Sequence, residues 1–248
     1  MSKLFIFIFA ALALGLAIYS PNIYKLYRLA NLYNEKTIAR NFINIDNIFS
    51  NISGPIPASE KPYIFETKDF NLPEKYSFEG EELDLKEGLS HFHTDGLIIL
   101  HDGKMLFEDY WNGNTKESKH ISFSVAKSYL SALFGIAIDE GVIDSIDDNV
   151  TKYLEDFTGT GYEDVKIKNL LQMSSGIEFN EDYADPNSDI NKFSRASAKG
   201  QSFRDFAKSL KNGREQGTYN HYVSLDTQVL AMILESVTDM PVREYLYK

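Results

Sequence analysis

Two residues near the middle of the chain, Ser124 and Lys127, have the types and the spacing that nucleophilic catalysis needs. They form an S-x-x-K pattern. Residues three apart lie on one face of a helix, so Lys127 would stand one turn from the Ser124 hydroxyl. A serine attacks a carbonyl carbon when an adjacent base removes its proton, and a neutral lysine can be that base. The pair therefore predicts acyl transfer to Ser124. The structural alternative is a helix-capping serine beside a surface lysine.

The segments around this pair must position it. Residues 122–141 are apolar around most of a helical circumference and end at Gly141, which predicts a helix central to a core. Upstream, the β-rich runs Gly96–His101 and Lys104–Trp111 flank Asp102-Gly103, a pair favoured in two-residue type I′ turns. We therefore expect a β-hairpin followed by a buried helix that carries the serine at its start.

This order of hairpin and S-x-x-K helix resembles the serine β-lactamase and penicillin-binding protein superfamily. The likeness is to its class C β-lactamase-like branch, which includes esterases and 6-aminohexanoate-dimer hydrolases. Asp147–Leu154 is similar to the segment after the nucleophile helix, and Val165–Gly176 is similar to the family's LL…SG helix end and turn. The resemblance implies an α/β (α+β) fold with an antiparallel sheet flanked by helices. A largely helical region would then lie between Gly141 and Lys248.

The family's second catalytic element, Y-x-N or Y-x-S, is matched by Tyr222-Val-Ser224 after a glycine-containing turn. Gln216 stands where the family usually has proline, and Tyr219 is a competing tyrosine three residues upstream. The resemblance implies that Tyr222 relays protons and that Ser224 hydrogen-bonds Lys127 or the substrate. Serine at this position, where β-lactamases carry asparagine, favours an esterase or amidase over a lactamase.

The family's third element is a K-T-G-like or H-x-G strand beside the nucleophile, and it has no counterpart in the 248 residues. In the family this strand supplies half of the oxyanion hole, and the backbone N–H of the nucleophile, here Ser124, supplies the other half. We therefore expect a C-terminally truncated polypeptide with an incomplete sheet, inactive by itself. These motifs do not specify the substrate, a small ester, amide or lactam, or the oligomeric state.

A rival pattern is His91-Phe-His93-Thr-Asp95, which spells the H-x-H-x-D core of a metallo-β-lactamase-like zinc site. It precedes a strand rather than following one, and Gly96 replaces the next histidine of the fuller signature. A zinc metallohydrolase is therefore the less favoured alternative, and we expect neither a metal nor another cofactor. A catalytically silent penicillin-binding-like module is a further alternative, against which the joint presence of all three catalytic residue types argues. The other histidines stand alone in the sequence and are expected at turns or on the surface: His101, His120 and His221.

Composition and the N-terminal segment bound the remaining possibilities. A net charge of −11 would repel nucleic acid, and the absence of cysteine rules out disulfides and thiolate chemistry. The apolar run at residues 4–19 predicts a signal peptide or short membrane anchor, and hence an exported, periplasmic or extracytoplasmic protein. We expect a leader over residues 1–21, a juxtamembrane helix (22–49) and lead-in segment over 22–88, and a serine hydrolase domain over 89–248.

Overall fold

The computed structural model describes residues 24, 27, 28, 30–47, 56–198 and 200–248. These residues form two units: those before 48 join 58–121, whereas 56–57 join 122–248. Among them, no helix combines the length and the apolar character that a membrane crossing needs. The leader or anchor predicted at residues 4–19 lies outside the described residues.

Short strands and helices make up the first unit. In chain order they are α1 (Ile38–Phe42), β1 (Glu66–Thr67), β2 (Lys75–Phe78), β3 (Glu81–Asp84), α2 (Leu85–His91), β4 (Gly96–His101) and β5 (Lys104–Tyr110). The hairpin of β4 and β5 is antiparallel, and its turn residues Asp102 and Gly103 have φ angles of 49° and 73°. Positive φ at both central residues is what a type I′ turn requires, so the predicted hairpin is confirmed.

The sheet around this hairpin is small and mixed. β1 pairs in parallel with β5, which gives the strand order β1-β5-β4, while β2 and β3 form a separate antiparallel pair. The parallel pairing is confined to Glu66 and Thr67 of β1, and it differs from the wholly antiparallel sheet that we expected. The predicted α/β class, with helices around a small sheet, is confirmed.

The helix predicted over residues 22–49 is interrupted: residues 24, 27, 28 and 30 are helical, and α1 lies further along the segment. Residues 31–37 form turns before α1 begins. The side-chain amide of Asn41 donates to the carbonyls of Asn31 and Leu32 at 3.0 and 3.1 Å. Such side-chain bonds satisfy main-chain carbonyls without a helix, which explains why asparagine favours turns over helix interiors.

Helices dominate the second unit. A 3-10 turn at Phe123–Val125 leads into α3 (Ala126–Asp139). Further 3-10 turns at Val150–Lys152 and Glu155–Phe157 precede α4 (Ile167–Leu171), α5 (Asp189–Ala198), α6 (Phe203–Ser209), α7 (Ser224–Thr238) and α8 (Val242–Tyr247). α3 packs on α7, and their buried apolar side chains belong to one core: Leu130, Leu133, Phe134 and Ala137 from α3, and Val229, Leu230, Ile233 and Leu234 from α7.

Burial of α3 is one-sided, whereas we expected an apolar helix buried around most of its circumference. Tyr129 is 60% exposed and Ile136 is 48% exposed, although both are apolar or aromatic. Phe123, immediately before the serine, is 46% exposed, and Lys127 is half-buried. The core contacts of α3 therefore hold the helix in place while its first turn leaves Ser124 open to solvent.

Candidate active site

Ser124 and Lys127 lie together where the 3-10 turn passes into α3. The Nζ of Lys127 donates a hydrogen bond to the Oγ of Ser124 at 3.1 Å. None of the ion pairs among the described residues involves Lys127, so no carboxylate there stabilises its charged form. Immediately before the serine, Phe123 adopts a left-handed φ of 44°, a conformation that is uncommon for a bulky residue. Backbone strain of this kind concentrates at functional sites.

Tyr222 is the tyrosine that the structure brings to this pair. The Nζ of Lys127 lies 5.3 Å from the centre of the Tyr222 ring, within the range of a cation–π contact. The competing Tyr219 is instead covered by the guanidinium of Arg214, 4.7 Å from its ring centre. The spacing argument for Tyr222 over Tyr219 therefore agrees with the geometry.

The segment that carries Tyr222 is held against the turn that follows α4. The backbone N–H of His221 donates to the Met173 carbonyl at 2.7 Å, and the N–H of Gly217 donates to the Ser174 carbonyl at 2.8 Å. These two main-chain bonds fix the backbone on both sides of the turn before Tyr222. The LL…SG segment, Val165–Gly176, therefore holds the backbone next to Tyr222 in position.

Gln216, which departs from the family's usual proline, contributes hydrogen bonds that a proline could not. Its Oε1 accepts from the Lys166 N–H at 2.8 Å and from the Asn169 side-chain amide at 2.6 Å. Its side-chain amide also donates to the Asp164 carbonyl at 2.5 Å. A proline at this position would restrict the backbone. Gln216 instead uses side-chain hydrogen bonds to hold the segment that leads to Tyr222 against α4.

Ser224 has a partner that the sequence analysis missed. Its Oγ donates to Glu181 Oε1 at 2.5 Å, and its backbone N–H donates to Glu181 Oε2 at 3.0 Å. The expected contact with Lys127 or substrate stays a prediction. The hydroxyl of Tyr183 donates to the same Oε1 at 3.0 Å. The available signal was weak, since Glu181 is one of several acidic residues in a loop 43 residues upstream of Ser224.

Electrostatics keep the Tyr183 hydroxyl in its donor form. Although Tyr183 is 64% exposed as a whole, desolvation of its hydroxyl and the negative charge of Glu181 raise the pKa of Tyr183 to about 12. The nearby hydroxyl of Tyr222 acts in the same direction. Tyr183 therefore lies within electrostatic reach of both Glu181 and Tyr222, and it stays protonated at neutral pH.

Asp226, two residues after Ser224 in α7, carries a buried carboxyl group. Its Oδ1 accepts a hydrogen bond from the buried hydroxyl of Tyr162 at 3.0 Å. Its Oδ2 is buried without a hydrogen bond of good geometry among the described residues, although the Ser175 side chain lies close enough to act on the carboxylate and lower its pKa. Burial raises the pKa of Asp226 to about 7, and the charge of Glu181 adds to the effect. Asp226 lies in the first turn of the helix that begins at Ser224. No local sequence pattern marks it as a buried carboxyl.

The H-x-H-x-D pattern is not gathered into a metal-ligand set. Asp95 Oδ1 accepts from the Asn112 side-chain amide at 3.0 Å, and Asp95 Oδ2 lies 3.1 Å from His120 Nε2. His120 is exposed, as expected, and it is also paired with Asp95, which the sequence does not indicate. His91 ends α2 and His93 follows in a left-handed turn with φ 51°. In the part of the chain that the structure describes, no group of three or more acidic or histidine side chains could hold a metal ion.

Comparison with known proteins places this geometry in a family. The β-lactamase family profile matches residues 85–248. The 6-aminohexanoate-dimer hydrolase of Paenarthrobacter ureafaciens is 33% identical over 165 residues, which cover 63% of this chain and 41% of that protein. A solved structure described as a proposed 6-aminohexanoate-dimer hydrolase from Bacillus anthracis superposes with a TM-score of 0.75 at 20% identity. That superposition covers 85% of this chain and 57% of the other.

The chain therefore spans less than two thirds of the length of either relative. The likeness to the Bacillus anthracis structure establishes the fold. Because the family profile matches well over half of the residues, the chain belongs to the β-lactamase family, as the S-x-x-K helix predicts.

Proposed function

We propose that this chain acts as a serine hydrolase that forms an acyl-enzyme on Ser124. The observation that carries the proposal is the 3.1 Å contact between Lys127 Nζ and Ser124 Oγ, with the Tyr222 ring 5.3 Å from the same nitrogen. Membership of the β-lactamase family supports the same activity.

Acylation starts from neutral Lys127. In that form the hydrogen bond reverses, and the Ser124 hydroxyl donates to Nζ. As Oγ bonds to the carbonyl carbon, its proton moves to Nζ and the π electrons of the carbonyl move to its oxygen, which the N–H of Ser124 faces as one oxyanion donor. The carbon–nitrogen or carbon–oxygen bond then breaks, and the leaving group takes the proton that Tyr222 relays from Lys127. The products are an acyl ester on Ser124 and a free amine or alcohol.

Deacylation uses the same groups in the opposite direction. Lys127, neutral again, accepts a proton from water, directly or through Tyr222, as the water oxygen bonds to the acyl carbon. The ester bond to Oγ breaks, and the departing oxygen of Ser124 takes that proton. The carboxylic acid leaves, and the starting Ser124–Lys127 pair is restored.

Linear amides and esters are the substrate class that we infer. The name of the Paenarthrobacter ureafaciens relative specifies the dimer of 6-aminohexanoate, an amino acid whose dimer is joined through an amide. Ser224, in place of the asparagine of β-lactamases, favours this class over cyclic lactams. We also propose that residues 4–19 direct export of the protein. Catalysis would then take place outside the cytoplasm, either at a membrane or free of it.

Hydrolysis of a p-nitrophenyl ester and a p-nitroanilide with the same acyl group tests the proposal. We expect wild-type turnover to fall by about 10³-fold or more in Ser124→Ala and in Lys127→Ala. Ser128→Ala is the matched control, since Ser128 is an exposed serine of the same helix, and we expect it to keep full turnover.

Two other results would favour the alternative functions. A folded wild-type protein with neither turnover nor fluorophosphonate labelling of Ser124 would favour the catalytically silent module. Labelling of Ser124 without turnover would instead fit the inactivity expected of an incomplete oxyanion hole. Turnover that survives Ser124→Ala, and that a chelator abolishes until zinc is added, would favour a metallohydrolase using His91, His93 and Asp95.

A further inference from the structure

Glu181 controls the direction of the hydrogen bond that Ser224 can make. Two groups of Ser224, its N–H at 3.0 Å and its O–H at 2.5 Å, donate to the two oxygens of this side chain. An ionised carboxylate can only accept hydrogen bonds. The hydroxyl proton of Ser224 is therefore committed to Glu181, and the Ser224 oxygen is left with lone pairs only.

The Glu181 carboxylate also accepts a hydrogen bond from the hydroxyl of a second side chain, Tyr183, whose proton is then not available to a substrate. Tyr183 donates its hydroxyl proton to Glu181 Oε1 at 3.0 Å, so that proton is committed as well. Tyr222, two residues before Ser224, faces Lys127 and through it Ser124. A bound molecule that reaches Ser224 would therefore meet a hydrogen-bond acceptor, rather than a donor, at that side chain.

We propose that Glu181 is a positioning residue that fixes Ser224 as an acceptor and thereby makes the site favour amides over esters. This inference rests on the proposed function. The leaving nitrogen of a secondary amide carries an N–H that can donate to the Ser224 oxygen. The leaving oxygen of an ester presents a lone pair to the same atom and gains nothing from it.

The Glu181→Gln variant should reverse the direction of the hydrogen bond between residue 181 and the Ser224 hydroxyl. Glutamine and glutamate have nearly the same size. The glutamine amide has one acceptor side and one donor side, whereas the carboxylate accepts on both. The Ser224 N–H requires the acceptor side, so the Gln amide N–H₂ would point at the Ser224 Oγ. The Ser224 hydroxyl proton would then be released toward the substrate, and the acceptor would become a donor.

The test compares kcat/KM for a p-nitroanilide and a p-nitrophenyl ester with the same acyl group, using the full chain. The ratio of the two values is independent of the fraction of active protein, so partial misfolding of a variant does not obscure it. We expect Glu181→Gln to lower the amide-to-ester ratio about tenfold, the size of one hydrogen bond. Asp182→Asn, which removes the same charge from an exposed neighbour, should leave the ratio unchanged.

A double-mutant cycle separates positioning from a general structural role. Ser224→Ala alone should lower the ratio, and Glu181→Gln added to it should lower the ratio no further. An equal loss for both substrates in Glu181→Gln, or the same change of ratio in Asp182→Asn, would overturn the inference. An absence of Ser124-dependent turnover of either substrate, together with an absence of fluorophosphonate labelling of Ser124, would overturn the proposed function, and this inference with it. Ser124-dependent turnover with an unchanged ratio would overturn this inference alone.

Discussion

Replacing the buried Asp226 with asparagine should change how the stability of the second unit depends on pH. Asp226 is fully buried, and its pKa rises from the usual 3.8 to about 7. Between these values the folded chain binds a proton at Asp226 that the unfolded chain does not. Stability therefore falls as pH rises through this window, and the loss is complete above about pH 7.

The size of the effect follows from the width of that window. A pKa rise of about three pH units corresponds to about 4 kcal/mol, at about 1.4 kcal/mol per unit. About 3 kcal/mol of this falls between about pH 5 and pH 8, where the chain can be studied away from acid denaturation. Asp226→Asn keeps an acceptor for the Tyr162 hydroxyl and carries no charge, so it should lack this pH dependence.

The assay is urea unfolding followed by far-ultraviolet circular dichroism, which reports mainly on the helices of the second unit. The free energy of unfolding of Asp226→Asn minus that of wild type should rise by about 3 kcal/mol from pH 5 to pH 8. Any constant loss of packing in the variant shifts this difference curve without changing its slope. Asp182→Asn, which removes an exposed carboxylate, should give a flat difference curve. A flat curve for Asp226→Asn as well would refute the reasoning.

Three further predictions concern the frame of the site and the rival metal pattern. Gly176 and Gly141 both have positive φ, but a Cβ at Gly176 would strike the Arg214 carbonyl, whereas the space at Gly141 is open. Gly176→Ala should thus lower the unfolding free energy by about 2–4 kcal/mol and Gly141→Ala by about 1 kcal/mol, and equal losses in urea titrations would contradict the steric argument. Gln216→Ala should cost about 1–3 kcal/mol in the same titration, because it leaves a backbone N–H and a carbonyl without their partners. Ester turnover should survive His93→Ala and a strong chelator, and chelator sensitivity restored by zinc would contradict the serine mechanism.

Features set by neighbouring residues could be predicted from the sequence. Asp102-Gly103 dictates the hairpin turn, because the two positive φ angles are a local requirement. The contact between Ser124 and Lys127 follows from helical spacing alone. For Tyr222, the family-like spacing predicts the catalytic role, and the structure brings its ring, rather than that of Tyr219, to Lys127.

Features that depend on distant partners could not be predicted in this way. Glu181 meets Ser224 across 43 residues, and Tyr162 meets Asp226 across 64. No periodicity links such pairs, since their contact depends on how α7 packs against a loop and a turn. The one-sided burial of α3 was missed for a related reason. An apolar sequence shows which faces can be buried, but the neighbouring elements decide which face is.

The most direct test of the central claim is to identify the residue that a fluorophosphonate probe modifies. The probe should add one adduct to the wild-type chain, and peptide mass spectrometry should place it on Ser124. Ser124→Ala should take up no adduct, while the control Ser128→Ala should be labelled as fully as wild type. An adduct that persists in Ser124→Ala, or one that lies on another residue of the wild-type chain, would contradict the account.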